Sequence, residues 1–331
     1  MKLTRSCLFV AVCTIPLATA ACGSDDKKTG DTDVDGGQVT PEGTHYQYVV
    51  DQALVPANDT QELSYGLDLG TSTSSTTLDG SVDNQLAQAF TLLTSFNFPI
   101  QATITEAVDK GSILLLADLQ TTDFSNASAA GLSVKIGATP QPHACDSDTD
   151  TICRHHLDGN GMFTIAASSP ANAIVTGKIA GGTFTGGPGN LTLQIALGST
   201  NPITLNLVNA RVKATEISAT EMTAIIGGAV LETEFNANVL PGIAAQIAPI
   251  LQRDCTNTTP PTCGCASGST GELVITLLDK GPVDCAITPN ELGKTSIVGT
   301  VLQPDVCSTA SCTAPDALSI GVKVHAVKAT F

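Results

Sequence analysis

The sequence predicts an α+β fold: antiparallel β-sheet with several amphipathic helices, bridged by disulfides. Three observations predict it. Leu191-Thr192-Leu193-Gln194-Ile195-Ala196-Leu197 and Ile203-Thr204-Leu205-Asn206-Leu207 each alternate, and Gly198-Ser199-Thr200-Asn201-Pro202 joins them. That is the pattern of an antiparallel hairpin with one apolar face. Val82, Leu86, Ala89, Phe90 and Leu93 fall on one helical stripe. Eight cysteines lie in the body of the chain, an even number suited to pairing.

The elements follow in order. Residues 46–50 read as a strand. After the 82–93 stripe, Pro99 suits a first helical position and Gly111 a C-terminal cap. Strands are expected at 112–119, 131–136, 162–167 and 173–185. The Gly-rich stretch Gly181–Gly189 lacks the GxGxxG order and a following helix, so it predicts a tight turn rather than a phosphate cradle. Beyond the hairpin, 211–217 reads as a strand. Phe235, Val239, Leu240, Ile243, Ile247, Ile250 and Leu251 mark the longest helix, 232–252, which Pro241 kinks or restarts. Residues 272–278 are expected to be a strand. Thr288-Pro289-Asn290-Glu291 is a capping-box pattern opening a helix that Pro304 ends. Ile320, Val322, Val324 and Ala326 alternate and are expected to close a sheet. Strands and helices mixed with adjacent antiparallel pairs indicate α+β.

Composition removes several function classes. The chain has 331 residues, 15 Lys+Arg against 31 Asp+Glu and a net charge of −16. Phosphate backbones and anionic lipid surfaces are bound through clustered Lys and Arg, so nucleic acid is excluded as a partner. A hydrophobic fraction of 42% is too high for a wholly disordered chain. With no Trp and three Tyr, aromatic stacking platforms for sugars or single strands are not expected.

The N-terminus reads as an export signal over residues 1–21. Lys2 and Arg5 precede an apolar run from Leu8 that is too short to span a bilayer. Thr19-Ala20-Ala21 then precede Cys22, an arrangement that resembles the lipobox of bacterial lipoproteins. Cys22 is the expected lipidation site, and two or more palmitate-type acyl chains anchor a protein stably where one does not. No Asp directly follows Cys22, which favours the outer membrane. Residues 22–44 form an acidic, Gly- and Thr-rich tether, and 45–331 form the globular body. The expected localisation is the bacterial cell envelope, with the membrane as partner through the lipid anchor.

In that compartment Cys145, Cys153, Cys255, Cys263, Cys265, Cys285, Cys307 and Cys312 are disulfide candidates. Eight cysteines allow 105 pairings. Local closure favours Cys145–Cys153 and Cys307–Cys312, leaving the other four to pair among themselves. Cys263 and Cys265 flank one Gly and are expected to bond elsewhere.

Calcium is the one cofactor with a motif. Asp31, Asp33, Asp35, Gly36 and Glu42 satisfy D-x-D-x-D-G-x5-E, the spacing that lets alternate oxygens converge on Ca²⁺. Asp146, Asp148 and Asp150 offer a second set of alternating carboxylates inside the Cys145–Cys153 loop. Asp79-Gly80 and Asp83-Asn84 are read as turns. No HExxH and no GxSxG occurs, so no catalytic residue is assigned. His155 or His156 could serve as a base only with an acid and a nucleophile beside it.

LATAACGSDD, the Asp-rich tether, GLDLG with LDGSVDNQLAQAF, and GGTFTGGPGNLTLQIAL resemble the uncharacterised envelope lipoproteins of the myxobacterial type. The likeness covers nearly the whole chain. Where relatives carry a fuller DxDGDG run before VDN, Ser and Thr residues 71–77 stand here instead. The expected function is therefore a membrane-anchored, non-catalytic envelope lipoprotein with a binding or structural role. The alternatives are a calcium-stabilised adhesion module, an envelope hydrolase and an apolar-ligand carrier.

Overall fold

A computed structural model of the chain describes residues 39–331, except 96–98, 146–149, 197–201, 258–262, 297, 298 and 300. Its strands are β1 (Thr44–Leu54), β2 (Leu115–Thr121), β3 (Asn126–Gln141), β4 (Gly161–Ile165), β5 (Ile174–Ala180), β6 (Thr183–Ile195), β7 (Ile203–Thr215), β8 (Glu221–Leu231), β9 (Cys255–Asn257), β10 (Gly264–Cys265) and β11 (Ala317–Thr330). Eight of them close a ring in chain order, β1-β2-β3-β5-β6-β7-β8-β11, and β11 returns to β1. Every neighbouring pair in the ring is antiparallel. The α+β class holds, and the sheet is an up-and-down barrel. Closure satisfies both edges of most strands without a partner chain.

Alternation decides which residues fill the barrel. Leu191, Leu193 and Ile195 of β6 face Leu205 and Leu207 of β7 across the expected hairpin. Met222, Ala224 and Ile226 of β8 and Val322, Val324 and Ala326 of β11 continue the inner lining. Tyr48 and Phe184 are fully buried among them. Eight strands enclose a space that side chains just fill. The void left beside Ile104, Leu115, Leu193, Val322 and Val324 is about 20 Å³, against roughly 300 Å³ or more for a small-molecule site. Side chains thus fill the lumen at this point, unlike the cavity an apolar carrier needs.

Two helical insertions complete the body. α1 (Asp59–Tyr65), α2 (Gln85–Ser95) and α3 (Ile100–Asp109) lie between β1 and β2. Ile100, Ile104, Ala107 and Val108 form the buried stripe of α3, and Ile104 reaches the inward-facing residues at one end of the barrel. Between β8 and β11 come α4 (Glu232–Glu234), a π-helical turn (Phe235–Val239), α5 (Leu240–Asp254), α6 (Thr270–Leu278) and α7 (Pro289–Lys294). Pro241 sits in the first turn of α5, and helical angles at Val239 and Leu240 carry the chain on from the π-helical turn into it.

Several expectations change. Residues 272–278 are helix α6, not a strand. Ser269 caps it by accepting from Glu272 N, and Gly271, Val274 and Leu278 are buried at helical spacing. A short apolar run with Val and Ile fits either period, and the cap decides. The 173–185 stretch is two strands, because Gly181 and Gly182 turn the chain at φ +57 and +78. α7 has the full capping box at Thr288 but ends at Lys294, ten residues before Pro304. Val82 lies outside α2, and α1 and β8 are elements additional to those the sequence predicts.

Disulfides join Cys145–Cys153, Cys255–Cys265, Cys263–Cys285 and Cys307–Cys312. This is the pairing that local closure favours, with the central four resolved as two bridges. No described helix is long and apolar enough to cross a membrane.

Candidate functional site

The acids nominated as calcium ligands are not gathered by the described structure. Asp31, Asp33, Asp35, Asp146 and Asp148 lie outside the described residues. Glu42 is exposed just before β1, and its backbone N–H donates to Ala129 O. Asp150 accepts from Ile152 N at 3.0 Å and meets His143 at 3.2 Å, so its carboxylate is already committed to its own loop.

His156 is fully buried beside Phe163. Burial pushes its pKa down, and the Arg154 cation adds to the effect. Arg154 itself pairs with Asp109. His155 is exposed. His325 lies on the outer wall, as its alternating position predicts, with Nδ1 at 2.7 Å from Asp51.

The VDN segment does more than turn. β1 pairs with β11 only from Lys323 to Lys328, so the edge of β11 from Ala317 to Gly321 lacks a strand on that side. Side chains complete it. Asn84 Oδ1 accepts from Gly321 N at 2.8 Å, and Asp305 accepts from Ser319 N and Oγ at 2.8 and 2.5 Å. Val306 bridges to Ala317. Leu69, Val306, Ala229 and Ala317 pack as a second small core on the outer wall. Gly321 is required there, because a Cβ would stand 2.3 Å from Tyr65 O.

The price of this cap is a set of crowded acids. Asp83 accepts from Leu69 N at 2.7 Å and Asp68 from Gly80 N at 2.6 Å. Burial pushes the Asp83 carboxyl up to about 6; the Leu69 N–H opposes this, and Asp305, Asp68 and Asp79 reinforce it. The folded value thus lies above the unfolded one near 4. The folded state binds the extra proton between those values, so stability falls as pH rises through about 6. Asp83→Asn copies the protonated acid and keeps an acceptor for Leu69. It is expected to match the wild type at pH 4 and to exceed it at pH 7.5 by about 1–2 kcal/mol, partial exposure screening the rest. Urea melts at both pH values check this; an equal gap at both, or a loss at pH 7.5, contradicts it.

A cleft of about 290 Å³ opens on the outer wall beside the end of α1. Ser64 and Tyr65 wall one side, and Lys213, Thr215, Glu216, Thr223, Ile225 and Lys323 form the rest. Sheet register builds it. Lys213 on β7 and Lys323 on β11 both stand opposite Ile225 on β8. Their inward neighbours Val212, Ala214, Val322 and Val324 are buried, so the lysines point outward. Thr223 donates to Glu216 at 2.7 Å. Neither lysine has an ion-pair or hydrogen-bond partner among the described residues.

Reading the sequence missed this site. The signal available was the polar position of each lysine in an alternating strand, in Val212-Lys213-Ala214 and Val322-Lys323-Val324. Alternation shows that they face out. It cannot show that they share a row, since 110 residues separate them. Comparison with family models, with curated proteins and with solved structures gives no match.

Proposed function

We propose that the protein is a membrane-anchored, non-catalytic lipoprotein of the bacterial envelope that binds a ligand on the outer wall of a closed barrel. The observation that carries the binding role is the cleft beside Lys213 and Lys323. It lies on three hydrogen-bonded strands, and a wall of that kind holds its groups in place without moving. The anchor rests on the lipobox-like Thr19-Ala20-Ala21-Cys22 and the tether after it.

Two measurements test this reading. Cys22→Ser is expected to release the chain from the membrane fraction, because the acyl chains alone hold it there; full retention overturns the anchor. A thermal-shift screen of the full-length chain against small polar and apolar compounds is expected to give hits that Ile225→Glu abolishes. Hits that survive that substitution, or no hits at all, overturn the binding role of the cleft.

A further inference from the structure

Resting on that binding reading, we infer that the cleft takes a small hydroxylated anion, a sugar acid or a sugar phosphate. Charge placement comes first. Lys178, Thr185, Lys213, Ile225 and Lys323 stand in one row across five neighbouring strands, β5 to β8 and β11. The row holds three lysines and no acid, in a chain with 15 Lys+Arg against 31 Asp+Glu. Two of the three border the cleft.

Geometry comes second. Adjacent strands lie about 4.8 Å apart, so the Lys213 and Lys323 Cα atoms are separated by roughly 10 Å across Ile225. Flexible four-carbon stems can bring both ammonium groups onto one oxyanion above that residue. A ligand that covers them must supply negative charge, since a covered, unpaired ammonium is costly. Arginine would be the choice for planar bidentate recognition, whereas lysine serves as a point charge for carboxylate or phosphate.

The remaining groups define the body of the ligand. Ser64, Tyr65, Thr215 and Thr223 are hydroxyl-bearing residues in the cleft's lining, with Ser64 Oγ donating to Gln61 O, and Glu216 brings a carboxylate. Thr223 occupies one oxygen of Glu216, which leaves the other to accept from a ligand hydroxyl. A bare inorganic anion would leave these groups unused. A volume of about 290 Å³ is at the small end for ligand sites, and suits one sugar ring.

The test is isothermal titration of the detergent-solubilised full-length chain with glucose 1-phosphate, glucuronate, glucose and inorganic phosphate. At least one of the two sugar anions is expected to bind saturably, and which one does so separates phosphate from carboxylate recognition. Lys213→Met and Lys323→Met are each expected to weaken that binding at least tenfold, while Lys178→Met leaves it unchanged. Both cleft substitutions replace outward-facing residues and retain the apolar stem, and melting curves confirm that each variant is folded. Equal affinity in the Lys213→Met/Lys323→Met double variant, equal binding of glucose, or binding of inorganic phosphate alone overturns the proposal. So does the absence of binding by either sugar anion. In that case, hits in the screen that Ile225→Glu still abolishes leave the broader binding role standing, and their absence removes both.

Discussion

Phe184→Ala is expected to destabilise the barrel by about 3–5 kcal/mol, the range for deleting a buried aromatic ring. Phe184 has no exposed surface. It lies on β6 opposite Ile179 of β5 and Ala214 of β7. Its ring covers Gly186, where a Cβ would meet Phe184 Cζ at 2.5 Å. With Ala214 on one side and Gly186 beneath the ring, little near it can swing in to refill the space. The cost therefore includes a cavity as well as the lost transfer energy. Phe184→Leu, which keeps most of the volume, is expected to cost less than half as much. Urea melts with an unchanged m-value would show this as a shift in midpoint alone. A loss under about 1 kcal/mol for Phe184→Ala would mean that the lumen is loosely filled, and would revive the apolar-carrier alternative.

Removing both Cys263 and Cys285 is expected to cost about 3 kcal/mol, the chain-entropy value for their 22-residue separation. Double replacement by Ala leaves no free thiol behind. The Cys307–Cys312 bridge spans only five residues and should be worth about 2 kcal/mol on the same scale. The comparison carries more weight than either value. Both bridges tie segments of the second helical insertion or its return to β11, so their surroundings are related. If the longer loop proves the less stabilising under matched non-reducing conditions, then constraint of the unfolded chain is not the main effect, and local packing around buried Cys307 takes its place.

The parts of the fold that were legible share one property: their pattern is set by neighbours close in sequence. The 191–207 hairpin shows as two alternating runs with a turn between them. Pro99 and Gly111 bracket α3 (Ile100–Asp109), and Thr288 with Glu291 forms the capping box of α7 within four residues. The short disulfides Cys145–Cys153 and Cys307–Cys312 follow from proximity along the chain. β8 was illegible for a physical reason. Met222, Ala224 and Ile226 alternate, but Gly227, Gly228, Ala229 and Val230 are all buried. The Leu67–Leu69 segment covers the outer face of that half, so its period of two disappears. α6 failed in the opposite sense, since Val274, Ile275 and Thr276 have strand-like side chains while Ser269 and Glu272 start a helix.

The amino-acid sequence by itself determined the class of fold, the net acidic character, and the set of cysteines available to bridge. It also determined which way Lys213, Lys323 and His325 point, because side-chain direction along a strand follows from period two. Only the tertiary structure decided that eight strands close on themselves and that side chains fill the space inside. Only register could place Lys213 and Lys323 on either side of Ile225, and only the outer layer could bring Asn84 and Asp305 onto the open edge of β11 as its cap. The reason is the range of the interactions. Propensity, capping and alternation act over a few residues, whereas pairing joins positions more than a hundred residues apart and is fixed by the best burial of the whole chain at once.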